Sequence, residues 1–227
     1  YDGNENYTIS TDTHFLTVID TIPPTPVSFN TLPLSPALYS PTQNYQFFST
    51  WTDNINVNSS VLEFNGANVT TSRTGNSFNS TISPLAVGNY TYKWIANDSR
   101  NNVNQSPVFN YSVTAATPTL SMSILPSTSV IIGTSTTVNC TSSTPQTTPA
   151  LNRNGTLVSI PDTAVLAVGS YNYTCTAPAT ENYTAPAEVS TIVTVNPIPA
   201  TVNLLLNGTD GDMFVPENST VIITGQL

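Results

Sequence analysis

Two sets of residues in this chain have types and spacings that could carry chemistry. The first is a series of 14 asparagines in Asn-x-Ser/Thr triplets: Asn6, Asn58, Asn68, Asn79, Asn89, Asn97, Asn104, Asn110, Asn139, Asn154, Asn172, Asn182, Asn207 and Asn218. Such a triplet accepts N-linked sugar in a chain that leaves the cytoplasm. The chain has 26 Asn, and Ser plus Thr make up about 28% of it, so random order would give roughly 6–7 triplets. The observed number is about twice that. The second set is a pair of cysteines, Cys140 and Cys175. In an exported chain two cysteines favour a disulfide; the alternative is two free buried thiols. A metal site would need more ligands, and His14, the only histidine, is far off in sequence. A bridge closing a loop of about 35 residues stabilises by roughly 3–4 kcal/mol in the chain-entropy model.

Other reactive constellations are weak. His14 sits in a run from Thr13 to Val18 that reads as a plain strand, with nothing to place a serine nucleophile and a carboxylate beside it. No motif singles out a pair among the 13 acids, and no glycine-rich phosphate loop is present. Lys93 is the sole lysine, so a lysine–asparagine isopeptide crosslink has at most one donor. Asp210-Gly211-Asp212 resembles a calcium loop at first glance, but calcium takes six to eight oxygens, and the segment reads better as a turn. The Ser142–Pro149 stretch is a polar loop whose alternative use is O-linked sugar. Gly155 and Gly208 each follow Asn and precede Thr, a pattern suited to tight hairpins. We therefore expect no catalytic residue, no cofactor and no metal site.

The composition agrees with a glycan coat. Charged residues are 7% of the chain, against about 25% in ordinary soluble proteins. A bare surface so poor in charge should be sticky, and sugar would supply the missing hydration. Hydrophobic residues at 38%, with ten Tyr, eight Phe and two Trp, argue for a packed core rather than a disordered polar chain. Net charge is −9, and the four bases, Arg73, Lys93, Arg100 and Arg153, are scattered. Nucleic acid and anionic membrane are poor partners for such a surface. Apolar runs such as Val130-Ile131-Ile132 and Leu204-Leu205-Leu206 are too short to span a bilayer. The chain opens at Tyr1 without a signal peptide and reads as a piece of a longer exported protein.

The elements that must position these residues are strands. Tyr90, Tyr92, Trp94 and Ala96 alternate with polar residues, as do Tyr171, Tyr173, Cys175 and Ala177. Tyr45, Phe47, Ser49 and Trp51 do the same, with Phe48 breaking the pattern. A period of two with frequent turn signals, and no helical period, predicts β-sandwiches. The chain also repeats itself: Leu85–Trp94 matches Leu166–Cys175, and Glu5-Asn6-Tyr7-Thr8 matches Glu181-Asn182-Tyr183-Thr184. Strands are expected after these, at Phe15–Ile19, Val108–Val113 and Thr191–Val195. Each runs into a proline-bearing junction, Pro23-Pro24-Thr25-Pro26, Thr117-Pro118 or Pro197-Ile198-Pro199, which ends strands and stiffens links. The expected units are residues 1–22 (the last strand or strands of a preceding domain, or a donor strand), 23–115 (a whole domain without a disulfide), 116–196 (a whole domain with one) and 197–227 (opening strands of another).

The second whole unit resembles the Ig-like repeat domains of bacterial and archaeal surface proteins. The resemblance rests on Pro118-Thr119-Leu120, on Gly133-Thr134-Ser135-Thr136-Thr137-Val138, on Val168-Gly169-Ser170-Tyr171 with Tyr173, on Glu181-Asn182-Tyr183-Thr184 and on Thr194-Val195. The first, with Asp20-Thr21-Ile22-Pro23-Pro24 and Gly88–Trp94, is similar to tandem repeats of archaeal surface proteins. The resemblance implies an all-β chain of tandem immunoglobulin-like sandwiches. It implies that Cys140 and Cys175 join the two sheets, and that Tyr173, two residues before the second cysteine, makes the tyrosine corner. In the cysteine-free unit Trp94 takes the place of Cys175 and should meet Phe47 or Trp51 as an aromatic pin. Such repeats serve in surface layers, adhesins and stalk or thread filaments.

The function expected is therefore structural: a heavily N-glycosylated, extracellular cell-surface array whose units each extend a rod by about 30–40 Å. Its partners would be neighbouring copies of itself or further repeats of the same chain, and N-linked glycans. Residues 1–22 could donate a strand to a neighbour. The alternatives are an adhesin recognising a host or a glycan, and an accessory region of a secreted enzyme. If the strand register is right, Asn89, Asn110, Asn139 and Asn172 all project into solvent, because each neighbours a core residue.

Overall fold

The structure is a computed structural model that describes residues 12–200, 203–208 and 211–226. Asn6 and Asp210 fall outside the described residues, and so do the expectations placed on them. The chain divides into two compact units, Tyr1–Ala116 and Thr117–Leu227. All regular structure among the described residues is strand.

The first unit contains β1 (Thr25–Leu32), β2 (Ala37–Leu38), β3 (Tyr45–Thr52), β4 (Val57–Phe64), β5 (Ala67–Val69), β6 (Ser72–Thr74), β7 (Ser77–Ile82), β8 (Gly88–Asp98), β9 (Val103–Gln105) and β10 (Phe109–Thr114). One sheet runs β1-β3-β7-β6; the other runs β2-β10-β8-β4-β5, with β9 also paired to β8. The second unit contains β11 (Leu120–Leu125), β12 (Ser129–Ile131), β13 (Ser135–Ser142), β14 (Ala150–Arg153), β15 (Thr156–Val158), β16 (Asp162–Val165), β17 (Gly169–Thr176) and β18 (Val189–Asn196). Its sheets run β11-β13-β16 and β12-β18-β17-β14-β15. In both units a short strand splits from the first and pairs in parallel with the last, β2 with β10 and β12 with β18. The other pairings are antiparallel. This is the strand order of an immunoglobulin-like sandwich, reached twice. A separate hairpin pairs β19 (Asn203–Leu206) with β20 (Ile223–Gln226).

The alternation read from the sequence sets which face is buried. On β3, Tyr45, Phe47, Ser49 and Trp51 point inward, and Phe48 lies half-buried on the opposite face. On β8, Tyr92, Trp94, Ala96 and Asp98 point inward. Each unit thereby buries a continuous strip from two sheets, which is where its stability comes from. The aromatic pin differs from the expected one. Phe47 meets Tyr92 across the sheets at 4.9 Å between ring centroids, and also Tyr111 at 5.2 Å and Phe64 at 5.4 Å. Trp51 packs edge-on against Phe29 of the adjacent strand at 5.6 Å. Trp94 is fully buried two residues beyond Tyr92. The register of β3 against β8 thus sets the ring pair one inward step earlier than the cysteine position suggested.

Two further expectations are corrected. Phe15–Ile19 forms no strand in this chain, and Phe15, Leu16, Val18 and Ile19 are exposed. The segment pairs with no sheet edge among the described residues. Asn154-Gly155 does form a tight hairpin turn between β14 and β15, with φ of 51° and 80°. Asn207-Gly208 has the same backbone, φ 50° and 80°, but the partner of β19 comes from residues 223–226 rather than from the residues just after the turn. In both, the asparagine closes the corner with a pair of bonds. Asn154 donates its N–H to the Asn172 carbonyl, and its Oδ1 accepts the Asn172 N–H, both at 2.8 Å. Asn207 does the same with Ile222, and so does Asn65, at the β4–β5 turn, with Thr91.

Candidate functional site

The candidate site is a surface: the outer faces that carry the sequon asparagines, with the inter-sheet pins that hold those faces in register. Thirteen of the 14 sequon asparagines lie among the described residues, and none is buried. Asn58, Asn68, Asn89, Asn110, Asn154, Asn172, Asn207 and Asn218 are exposed, whereas Asn79, Asn97, Asn104, Asn139 and Asn182 are half-buried. Asn89, Asn110 and Asn172 therefore stand out from the sheet as the pleat requires. Asn139 points outward between buried Val138 and Cys140, but it is partly covered. It sits in the central strand of its sheet, directly opposite Ser123 of β11.

Hydrogen bonding separates the half-buried positions further. Asn104 donates from Nδ2 to the Pro24 carbonyl at 2.8 Å, and the hydroxyl of its triplet partner Ser106 is buried between the Trp94 N–H and the Pro107 carbonyl. Asn97 accepts from the Ser59 N–H and hydroxyl and donates to Asn101. Both thus spend Nδ2, the atom that takes sugar, on a structural bond, whereas the exposed Asn89 and Asn154 take part in their bonds through Oδ1.

Beneath the faces of the second unit, a disulfide joins Cys140 of β13 to Cys175 of β17, with Cα atoms 6.1 Å apart. It links the two sheets inside a cluster of Leu120, Val138, Leu151, Tyr173 and Val193. The tyrosine corner belongs to a different residue than expected. Tyr171 donates its hydroxyl to the Ala167 carbonyl at 3.0 Å, and Tyr90 makes the equivalent bond to Ala86 at 2.7 Å. The local repeat Leu-Ala-Val-Gly places an acceptor four residues before each tyrosine, a signal visible in the sequence. Tyr173 lies deeper and donates instead to Asp162 Oδ2 at 2.7 Å, an oxygen that also accepts from Arg153 Nη1 at 2.9 Å. Burial, then the Asp162 carboxylate, pushes the Tyr173 hydroxyl above its ordinary pKa. The phenol therefore stays protonated as a donor that ties β17 to β16, across the two sheets.

His14 lies 3.1 Å from Asp12, both exposed on the segment ahead of β1. Lys93 pairs with Glu63 across β8 and β4 at 3.4 Å. In the Ser142–Pro149 loop, Thr144 and Thr147 are buried and hydrogen-bonded within the loop, so their hydroxyls are not open to sugar. What sequence reasoning missed is the convergence of Asp20, Asp53 and Asp98. Register brings them to one end of the sandwich: Thr25 opposes Thr52 where β1 begins, and Val57 opposes Asp98 where β4 begins.

Comparison with known proteins gives no matching family model. No curated protein matches the sequence. Solved structures that superpose on the chain include the fibronectin(III)-like modules of Clostridium thermocellum CbhA, at 15% identity over 75% of this chain and 95% of that one, with a TM-score of 0.34. The full ectodomain (Ig1–Ig3) of mouse nectin-like molecule 4 superposes at 13% identity over 79% and 67%, with a TM-score of 0.35. A putative membrane anchored protein from Corynebacterium diphtheriae superposes at 14% identity over 79% and 57%, with a TM-score of 0.30.

Proposed function

We propose that this chain is a structural, heavily N-glycosylated module of an extracellular surface array, a filament, stalk or coat of the prokaryotic Ig-like repeat type. One observation carries the reading. Sequon asparagines on the strands face outward although their immediate neighbours, Tyr111, Val138, Cys140 and Tyr173, are almost fully buried. A sequence that places acceptors on the outer side of the pleat and aromatics on the inner side suits a coated rod. The low content of charge points the same way, since sugar would hydrate what side chains do not.

The reading includes strand donation. Phe15, Leu16, Val18 and Ile19 are 90%, 92%, 81% and 69% exposed, and the segment pairs with no strand among the described residues. Seated beside an open sheet edge of a neighbouring copy or repeat, it would bury that apolar surface and gain main-chain bonds. Electron microscopy of the native material tests this. A continuous filament repeating every two sandwiches is expected; isolated monomers without end-to-end contacts would refute it.

A further inference from the structure

We infer that the first unit binds a calcium ion at the end of its sandwich, held by Asp20, Asp53 and Asp98. The three carboxylates come from separate segments: Asp20 from the stretch ahead of β1, Asp53 from the β3–β4 turn, and Asp98 from the end of β8. One carboxylate oxygen of each lies within 4.8 Å of the others. Asp20 is 7% exposed and Asp98 is fully buried. No ion pair among the described residues reaches any of them; those present are His14–Asp12, Lys93–Glu63 and Arg153–Asp162.

The hydrogen bonds hold each carboxylate by one side. Asp20 Oδ1 accepts from the Ile22 N–H and from Asn54 Nδ2, while its Oδ2 is buried without a partner. Asp53 Oδ1 accepts from the Ile55 and Asn56 N–H groups, and its Oδ2 is likewise buried without a partner. Asp98 Oδ1 accepts from the Arg100 and Asn102 N–H groups, and its Oδ2 from Asn102 Nδ2. The same Asn102 side chain donates to the Asp20 carbonyl, fixing the two segments together. Buried like charges this close repel one another and lack solvation unless a cation lies among them. Leaving two buried carboxylate oxygens unpaired is costly for the same reason.

The donor set selects the ion. It is all oxygen and anionic, without His or Cys, which suits a hard cation. Three carboxylates from independent segments make an adaptable cage, which suits calcium, with its six to eight ligands at flexible geometry, better than magnesium with its strict octahedron. The bound ion would clamp the segment ahead of β1 onto two turns of the sandwich and so set the direction in which Phe15–Ile19 leaves the unit. The site stands whether or not the asparagines carry sugar.

Titration calorimetry of the whole chain with CaCl2, with MgCl2 as the comparison, tests the site. One calcium per chain is expected, with a dissociation constant of about 0.1–1 mM, as in extracellular modules. Thermal unfolding of the first unit should shift upward in calcium relative to chelator. Asp20→Asn and Asp53→Asn each retain the Oδ1 acceptor that holds the turn, so both should fold, as circular dichroism would verify, while binding calcium about tenfold or more weakly. The inference is overturned if no calcium binds at about 10 mM, if both variants bind like the parent, or if magnesium binds equally well.

Discussion

Replacing Trp94 with alanine is expected to destabilise the first unit by about 3–5 kcal/mol, the range for removing a buried large aromatic. Trp94 is fully buried in the middle of β8, the strand that pairs with β4, β9 and β10. Its loss would open a cavity on the inward row of β8, between buried Tyr92 and Ala96. Against a typical total stability of about 5–15 kcal/mol, that is a large share. Trp94→Phe is the informative control. The indole Nε1 is buried without a hydrogen-bond partner, so phenylalanine sheds an unpaired donor while keeping much of the volume, and it should cost well under half as much as alanine. Denaturant unfolding of the three proteins side by side gives the comparison; equal losses for alanine and phenylalanine would show that the site reads the indole itself.

Breaking the Cys140–Cys175 bridge is expected to destabilise the second unit by about 3–4 kcal/mol, since it closes a loop of about 35 residues. For a domain of this size that corresponds to a fall of roughly 12–30 °C in the unfolding midpoint. The effect should be confined to residues 117–196, with the first unit melting unchanged. Scanning calorimetry with and without reductant, and on the Cys140→Ala/Cys175→Ala double variant, resolves it. Intact mass gives the covalent check: alkylation without reductant should add nothing.

Much of the sandwich was legible because a period of two reports directly on burial. The inward sets Tyr45–Phe47–Ser49–Trp51 and Tyr173–Cys175 came straight from alternation, and the structure buries those residues. What alternation cannot supply is the stagger between strands of opposite sheets. That is why Phe47 meets Tyr92 rather than Trp94. The corner is a local feature: in both units the tyrosine that follows Leu-Ala-Val-Gly bonds back to the alanine carbonyl, so the repeat itself marks Tyr90 and Tyr171. Phe15–Ile19 shows a different limit: β-branched composition favours a strand, but a strand forms only where an edge is available, and the segment pairs with none among the described residues. The aspartate cluster was hidden because its members are 33 and 45 residues apart in sequence and meet only through the pairing of β1 with β3 and β4 with β8.

A sugar coat on the outer faces would be seen directly by glycopeptide mass spectrometry of the native protein. Sugar is expected at the exposed positions, Asn58, Asn68, Asn89, Asn110, Asn154 and Asn172 foremost, with a bare Asn104, whose amide is spent on the Pro24 carbonyl. Unmodified asparagine at all of the exposed positions, in protein taken from its own cell surface, would contradict it.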